Sequence, residues 1–193
     1  QWFTWQSERD GWRHIYRISR DGRQMVPITR GDFDVVDELG MDLKRGVVYF
    51  IASPDNYTQR YLYEAKLFGK GEVRRLTPAD QSGQHSYSMA PGGRWAVHTF
   101  SNAATPPVVD RIALPSHRRV ELITDNSRAR EQWASLGLKD KEFVKVKSDS
   151  LWLDAWMIKP ADFDSTRRYP VIIDVYGERE GDEVTGKVSY ISI

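Results

Sequence analysis

The chain has 193 residues, 40% hydrophobic and 12% aromatic, the composition of a globular protein of one or two domains rather than a disordered one. Lys and Arg (28) nearly balance Asp and Glu (27), and the net charge of +1 leaves no electrostatic case for nucleic acid or an anionic membrane surface. The absence of cysteine excludes disulfides, thiolate-bound zinc and a thiol nucleophile, but does not fix the compartment.

The first stretch, WFTWQS at 2–7, reads as a strand, and ERDG at 8–11 turns it, with Asp10-Gly11 able to supply positive φ. HIYRI (14–18) returns, Asp21-Gly22 turns again as a hairpin, and QMVPIT (24–29) is an outer strand. Pro27 suits that edge, where a missing N–H costs no ladder bond. From Val47 the chain runs VVYFIAS, a PDN loop, YLYEAKL, a turn at Gly69 and Gly71, then EVRRLT to Thr77. Each apolar piece is short, rich in β-branched and aromatic residues, and bounded by turn formers, so each is predicted to be a strand.

This stretch repeats at about 48 residues. Thr29, Thr77 and Thr124 each close an apolar-Thr dipeptide; Ser7, Ser53 and Ser101 each end a strand before a loop; Met41 and Met89 each precede a turn. Four strands per repeat at this period is the pattern of a propeller blade, a four-stranded antiparallel sheet that must stack on its neighbours to bury both faces. One blade is predicted from about Val35 to Thr77 and the next from about Gln84 to Thr124, with TPP (105–107) stiffening a loop. Residues 2–29 are then the end of a preceding blade. The arginine dipeptides Arg74-Arg75 and Arg118-Arg119 are expected on solvated faces of outer strands. With two whole blades and part of a third, the chain is expected to be a piece of a larger protein. It should leave apolar blade faces uncovered and so associate, as a homo-oligomer or within a larger assembly.

Beyond Thr124 the period changes. A short helix is predicted from 127 through Leu136, with Ala129, Trp133 and Leu136 on one face and Gly137 stopping it. FVKVK (143–147) and LWLDAWMI (151–158) should pair as a hairpin. YPVIIDVYG (169–177) is a nearly continuous apolar run of the kind found in a strand buried on both faces of an α/β sheet.

The blades, together with SERDGWRHIY (7–16) and WMIKP (156–160) leading to YPVIIDVYG (169–177), resemble the dipeptidyl peptidase IV group of the prolyl oligopeptidase family. The resemblance implies a mainly β chain: a partial β-propeller over 1–126, an interdomain crossing and the first strands of an α/β-hydrolase domain over 127–177, and an unassigned tail over 178–193. It implies a parent serine exopeptidase that releases N-terminal dipeptides from short peptides with Pro or Ala second, partnered by the rest of its own propeller and hydrolase domain, without a cofactor or metal. Tyr176 matches the family's oxyanion-hole tyrosine, whose phenol could donate to a tetrahedral oxyanion. No G-x-S-x-G elbow occurs in the sequence, so the Ser, Asp and His of the triad are not in this chain, which is predicted to be inactive alone. An acylaminoacyl- or oligopeptidase relative and a non-catalytic propeller scaffold are the alternatives. The implied location is periplasmic or secreted, with the cytoplasm open.

Other motifs carry bland readings. GDEVTGK (181–187) nearly spells a phosphate-binding loop, but Val188 stands where the Mg²⁺-liganding hydroxyl belongs. The histidines (14, 85, 98 and 117) are scattered in sequence with no metal-binding spacing, and His98, which replaces Phe50 of the preceding repeat, is expected to be buried and hydrogen-bonded. Trp2, Phe3, Trp5, Tyr49, Phe50, Tyr61, Tyr63 and Trp95 are expected in blade-to-blade core. Asn56-Tyr57-Thr58 is a formal glycosylation sequon.

Overall fold

The computed structural model describes residues 1–137 and 139–174. Three antiparallel sheets follow one another along the chain. The first holds β1 (Trp2–Ser7), β2 (His14–Ser19) and β3 (Met25–Pro27) in that spatial order. The second holds β4 (Val35–Asp42), β5 (Val47–Ala52), β6 (Tyr61–Lys66) and β7 (Val73–Arg75), and the third β8 (Gln84–Met89), β9 (Trp95–Asn102), β10 (Thr105–Ala113) and β11 (Arg118–Thr124). Each is an up-and-down meander, so every strand pairs with its sequence neighbour. The second and third are the predicted four-stranded blades, and the first has three strands. Pro27 lies on the edge strand β3, opposite Tyr16. TPP is not a loop: it opens β10, where the pairing with β9 slips between Thr105 and Val108.

The second sheet explains why VVYFIA is apolar without alternation. Successive strand residues face opposite sides. Val48, Phe50 and Ala52 pack with Ile15, Ile28 and Phe33 towards the first sheet. Val47, Tyr49 and Ile51 pack with Tyr87, Ala96 and Ile112 towards the third. All six residues of β5 are buried because sheets lie on both faces. Met41 and Met89, matched in the repeat, pack on the first and second of these cores respectively. At the second interface the turn residue Gly93, at φ +64°, approaches Tyr49 so closely that a Cβ would lie 2.7 Å from the ring.

The aromatic set divides along the same line. Tyr49, Phe50, Tyr61 and Tyr63 are buried, whereas Trp2, Phe3, Trp5 and Trp95, placed in the core by sequence pattern, are 39–60% exposed. Phe3, Trp5 and Trp95 lie on sheet faces that no further sheet covers among the described residues, whereas Trp2 meets Phe68 of the second sheet edge-on at 6.2 Å.

The repeated threonine has a physical role in two of its three positions. Thr29 Oγ1 accepts the Ile15 N–H at 3.0 Å, and Thr77 Oγ1 accepts the Leu62 N–H at 2.8 Å. In both, the backbone N–H groups of the dipeptide return to the carbonyl of that same partner residue, Ile15 or Leu62. The hydroxyl thus satisfies a buried N–H of the strand next to the outer one, where the outer strand leaves the sheet. Thr124 is exposed, stays in register opposite Val109, and makes no such bond.

After the sheets come α1 (Ser127–Ser135) and a hairpin of β12 (Glu142–Ser148) and β13 (Leu151–Met157), as the pattern predicts. Asp125 accepts the Ser127 N–H at 3.0 Å, and Asn126 donates to the Pro107 carbonyl at 2.6 Å, fastening the helix start to the third sheet. Among the described residues the helix buries no side chain fully, and Trp133 of its predicted apolar face is half-buried. Among the described residues no helix is long and apolar enough to cross a membrane.

The run at 169–177 departs from expectation. Its described part, 169–174, forms no strand, and Val171, Ile172 and Ile173 are 76, 98 and 79% exposed. A strand buried on both faces requires neighbouring strands and covering layers, and none of the described elements supplies them.

The threonine device gives a stability test. Thr77→Val removes the acceptor of a buried N–H and a partner of the Tyr87 hydroxyl, and should cost about 2–4 kcal/mol in urea unfolding. Thr124→Val should fall within about 0.5 kcal/mol of the parent.

Candidate functional site in the third sheet

Tyr176 and the 181–187 segment lie outside the described residues, so the functional groups whose geometry can be traced are those of the sheets. Three of the four histidines, scattered in sequence, converge inside the third sheet. His85 stands on β8, His98 on β9, and His117 in the β10–β11 turn at φ +54°. All three are buried, at 4, 3 and 7% exposure. Only His14 stands apart, its ring bridging Thr29 Oγ1 and the Gly31 carbonyl, each at 3.0 Å, with Phe33 edge-on.

The converging side chains form one hydrogen-bonded chain across three strands. His85 Nε2 is 2.9 Å from the Gln81 carbonyl, His85 Nδ1 is 2.8 Å from His98 Nε2, and His98 Nδ1 is 2.9 Å from Asp110 Oδ1. The other Asp110 oxygen accepts from Arg119 Nε of β11 at 2.6 Å. The two imidazoles stack with centroids 5.1 Å apart and planes 8° from parallel. Beside them the Tyr87 hydroxyl bridges Thr77 Oγ1 at 3.0 Å and His117 Nε2 at 2.8 Å, which joins the third sheet to the end of the second. Tyr61 of β6 faces the His85 ring, and the Arg75 guanidinium lies 3.6 Å above Tyr61. Arg75 also donates to the Thr77 and Pro78 carbonyls, at 3.0 and 2.9 Å. Neither arginine dipeptide is therefore simply solvated: Arg75 and Arg119 act inward.

A proton count constrains this chain. Three links join Gln81, His85, His98 and Asp110, both ends are acceptors, and two neutral imidazoles bring two N–H groups. The charge-assisted bond to Asp110 is the strongest, so His98 carries its proton on Nδ1, and its Nε2 then accepts from His85 Nδ1. His85 Nε2 is left as a bare lone pair against the Gln81 carbonyl. A third proton there would gain a charge-assisted bond of about 1.5–3 kcal/mol, but it would place an imidazolium in the interior at a cost of several kcal/mol. Burial prevails. It pushes His85 down to about 3, with His98, His117 and Arg75 adding to the effect against a bond to the Gln81 carbonyl. Burial likewise takes His117 down to about 4, and lowers His98 despite the bond to Asp110.

The arrangement is not a nucleophile triad. An aspartate orients a histidine, but the next atom along the chain is another imidazole nitrogen rather than a hydroxyl. Among the described residues no group of three or more His, Asp or Glu side chains is placed to hold a metal ion. The repeat contained a signal for this site that pattern reading did not use. His98 occupies the place of Phe50, and the sheet registers pair Tyr63 with Phe50 as they pair Asp110 with His98. His85, opposite Phe100, likewise occupies the place of Val35, opposite Ala52.

A second polar centre sits in the second sheet. Glu64, 7% exposed, receives Arg45 through 2.9 and 3.2 Å bonds and Arg74 through 2.5 and 3.0 Å bonds. Burial pushes its carboxyl up, and the two arginines outweigh that and hold it below the ordinary carboxylate range. Arg45 also donates to the Tyr49 hydroxyl at 2.7 Å. At the end of the first sheet an open cavity of about 250 Å³ is lined by Asp10, Trp12, His14, Pro27, Arg30, Gly31 and Asp32. At the sequon, Asn56 Oδ1 accepts the Thr58 N–H and hydroxyl, at 3.1 and 2.8 Å.

Comparison with known proteins places these sheets. Residues 1–107 match the family described as the dipeptidyl peptidase IV (DPP IV) N-terminal region. The crystal structure of Porphyromonas gingivalis dipeptidyl peptidase 4 superposes with a TM-score of 0.79 at 31% identity, over 88% of this chain and 24% of that one. Dipeptidyl-aminopeptidase B of Aspergillus niger is 26% identical over 183 residues, covering 93% of this chain and 20% of the relative. A protein of Emericella nidulans named "Probable dipeptidyl-aminopeptidase B" is 28% identical over 171 residues, 87% of this chain and 19% of the relative. The chain thus spans about a fifth of the length of the curated relatives it matches.

The buried histidines set the pH dependence of stability. Their folded values lie below the ordinary 6.5, so the unfolded chain binds the extra protons. Their contribution is complete above pH 6.5 and is lost as pH falls towards 4 and then 3. Urea unfolding should therefore give a free energy that declines below pH 6.5 by about 1.4 kcal/mol per pH unit for each proton taken up, and a profile flat from pH 7 to 5 would refute the assignment.

Proposed function

Because this chain belongs to the dipeptidyl peptidase IV N-terminal-region family, we propose that it contributes propeller blades to a serine exopeptidase that releases N-terminal dipeptides with Pro or Ala second. The observation that carries the reading is the succession of one three-stranded and two four-stranded antiparallel sheets packed face to face, in a stretch superposable on the Porphyromonas gingivalis enzyme at 31% identity. In this reading residues 1–126 are propeller, 127–177 cross to and begin the hydrolase domain, and 178–193 remain unassigned. The blades wall a cavity that admits short peptides, and Tyr176 donates to the oxyanion of the tetrahedral intermediate. No cofactor or metal takes part. The protein acts in the periplasm or after secretion.

The chemistry of the 193-residue chain follows from its sequence. It contains no G-x-S-x-G, so it brings no activated serine to a scissile carbonyl. The exposed Phe3, Trp5 and Trp95 on outward sheet faces support a further expectation, that this chain associates through them.

Hydrolysis of Gly-Pro-p-nitroanilide tests the function. The complete protein should release p-nitroaniline and the 193-residue chain should not. Tyr176→Phe in the complete protein should lower kcat about 100-fold or more. Activity of the 193-residue chain would overturn the reading, and inactivity of both would favour a non-catalytic propeller. In sedimentation velocity the 193-residue chain should run as associated species, and a cooperative monomer would contradict the open blade faces.

A further inference from the structure

The strand registers put the three sheets in one frame. Thr4 pairs with Arg17 as Tyr49 pairs with Glu64 and Val97 with Arg111, and two residues down the same strands stand Trp2, Val47 and Trp95. Successive strand residues alternate faces, so these positions all point the same way along the stack. They face from the first sheet to the second, from the second to the third, and outward from the third. A tryptophan and an arginine therefore recur together on the first and third sheets, where the second has Val47 and Glu64.

On the first sheet this pair is filled. The Arg17 guanidinium lies 5.3 Å from the Trp2 ring and 4.5 Å from the Phe68 ring, and it donates to the Leu67 carbonyl at 2.8 Å. The first sheet thus grips the β6–β7 turn of the second through a cation held between two aromatic faces. On the third sheet Arg111 lies 5.9 Å over Trp95 and pairs with Glu121 at 3.0 Å, and among the described residues no turn enters beside them. Trp95 is 44% exposed and the Arg111 side chain 41%.

The chain holds a turn that suits this open clasp. The β2–β3 turn stands in the first sheet where the β6–β7 turn stands in the second. Counted from the strand that enters it, Asp21 takes the place of Phe68 and Gly22 that of Gly69. The Asp21 side chain is 58% exposed, and its charge is opposite to that of Arg111. On the same outward face Phe3 and Trp5 occupy the register places of Val48 and Phe50, the residues that pack the second sheet on the first. We propose that the third sheet of one copy of this chain docks on the first sheet of a second copy, with Trp95 and Arg111 gripping the second copy's β2–β3 turn through Asp21. The inference rests on reading these sheets as stackable blades and not on peptidase chemistry. A like-face dimer would leave Arg111 and Asp21 in separate interfaces. Because unlike faces meet, the contact is heterologous, and copies add head to tail until a ring closes or a filament runs on.

Sedimentation velocity on the 193-residue chain tests the contact by reversing charge at two exposed positions outside the cores. Asp21→Arg and Arg111→Asp should each weaken self-association on the order of 10-fold, because each sets like charges against one another. Their equimolar mixture should associate as the unsubstituted chain does, since every contact in an alternating assembly again pairs opposite charges. Trp5→Glu and Trp95→Glu form a second set. Each alone should remain monomeric, and their mixture should stop at a 1:1 dimer, in which the one intact face of each meets the other. An unsubstituted chain that sediments as a monomer overturns the proposal. So does a charge variant that associates undiminished, or a mixture that shows no recovery. None of these results bears on hydrolysis by the complete protein, so the docking and the peptidase reading fail separately.

Discussion

A four-stranded sheet has two faces, and the requirement to cover both organises this chain. The second sheet meets it: β5 alternates Val48, Phe50 and Ala52 into one core with Val47, Tyr49 and Ile51 into the other. Burying such side chains stabilises by about 1.5–3 kcal/mol each, so one strand serving two interfaces contributes twice over a short length. The first and third sheets meet the requirement on the side towards the second. On their other sides Trp5 is 60% exposed and Ile123 53%. These residues have the identities of core and the accessibility of surface, which fits blades that stack in a closed ring in the family.

Covering faces also decides where charge can sit. Glu64 is on β6, the third strand of its sheet, and Asp110 is on β10, the third strand of the next. In both cases an arginine from the outer strand, Arg74 or Arg119, reaches inward to the carboxylate. The outer strand is at the rim, so a long side chain can keep its stem partly in water while its head pairs with a buried anion. The second partner differs. Glu64 takes another guanidinium, Arg45, whereas Asp110 takes His98. Two cations on Glu64 keep it ionised at any pH near neutrality, while the imidazole passes the influence of Asp110 to His85. The same repeat thus carries a fixed charge cluster in one copy and a titratable one in the next.

Most of the fold was legible in the sequence because the signals were local. Strand length, turn residues and the 48-residue period place every sheet, and the hairpin after 142 follows from alternation alone. What failed depended on neighbours. Trp5 and Tyr49 have similar strand contexts, and only the presence of a covering sheet makes Tyr49 buried and Trp5 exposed. The run at Val171–Ile173 shows the same dependence, since its pattern describes a strand that its described surroundings do not provide for. Thr124 completes the repeat in sequence but not in hydrogen bonding, because β11 stays paired to its end. The histidine site was missed for another reason. Metal motifs are defined by spacing along the chain, whereas the relevant spacing here is one residue per strand across a sheet. Aligning His85, His98 and Asp110 with Val35, Phe50 and Tyr63 would have shown three polar replacements in one layer.

That layer bears on how blades communicate. Two apolar cores hold adjacent sheets by area, a quantity that varies little with solution conditions near neutral pH. The polar contacts at the second interface are of another kind: Tyr87 joins Thr77 to His117, and Arg75 holds the crossover while covering Tyr61. Each is directional and depends on protonation or on a single rotamer. An interface built of both can keep its sheets stacked through the apolar core while the crossover segment responds separately. In a propeller that encloses a cavity, the segments joining successive blades lie beside the strand ends that form its rim. The counterpart layer in the second sheet, where Phe50 stacks on Tyr63, carries no such chain of polar contacts.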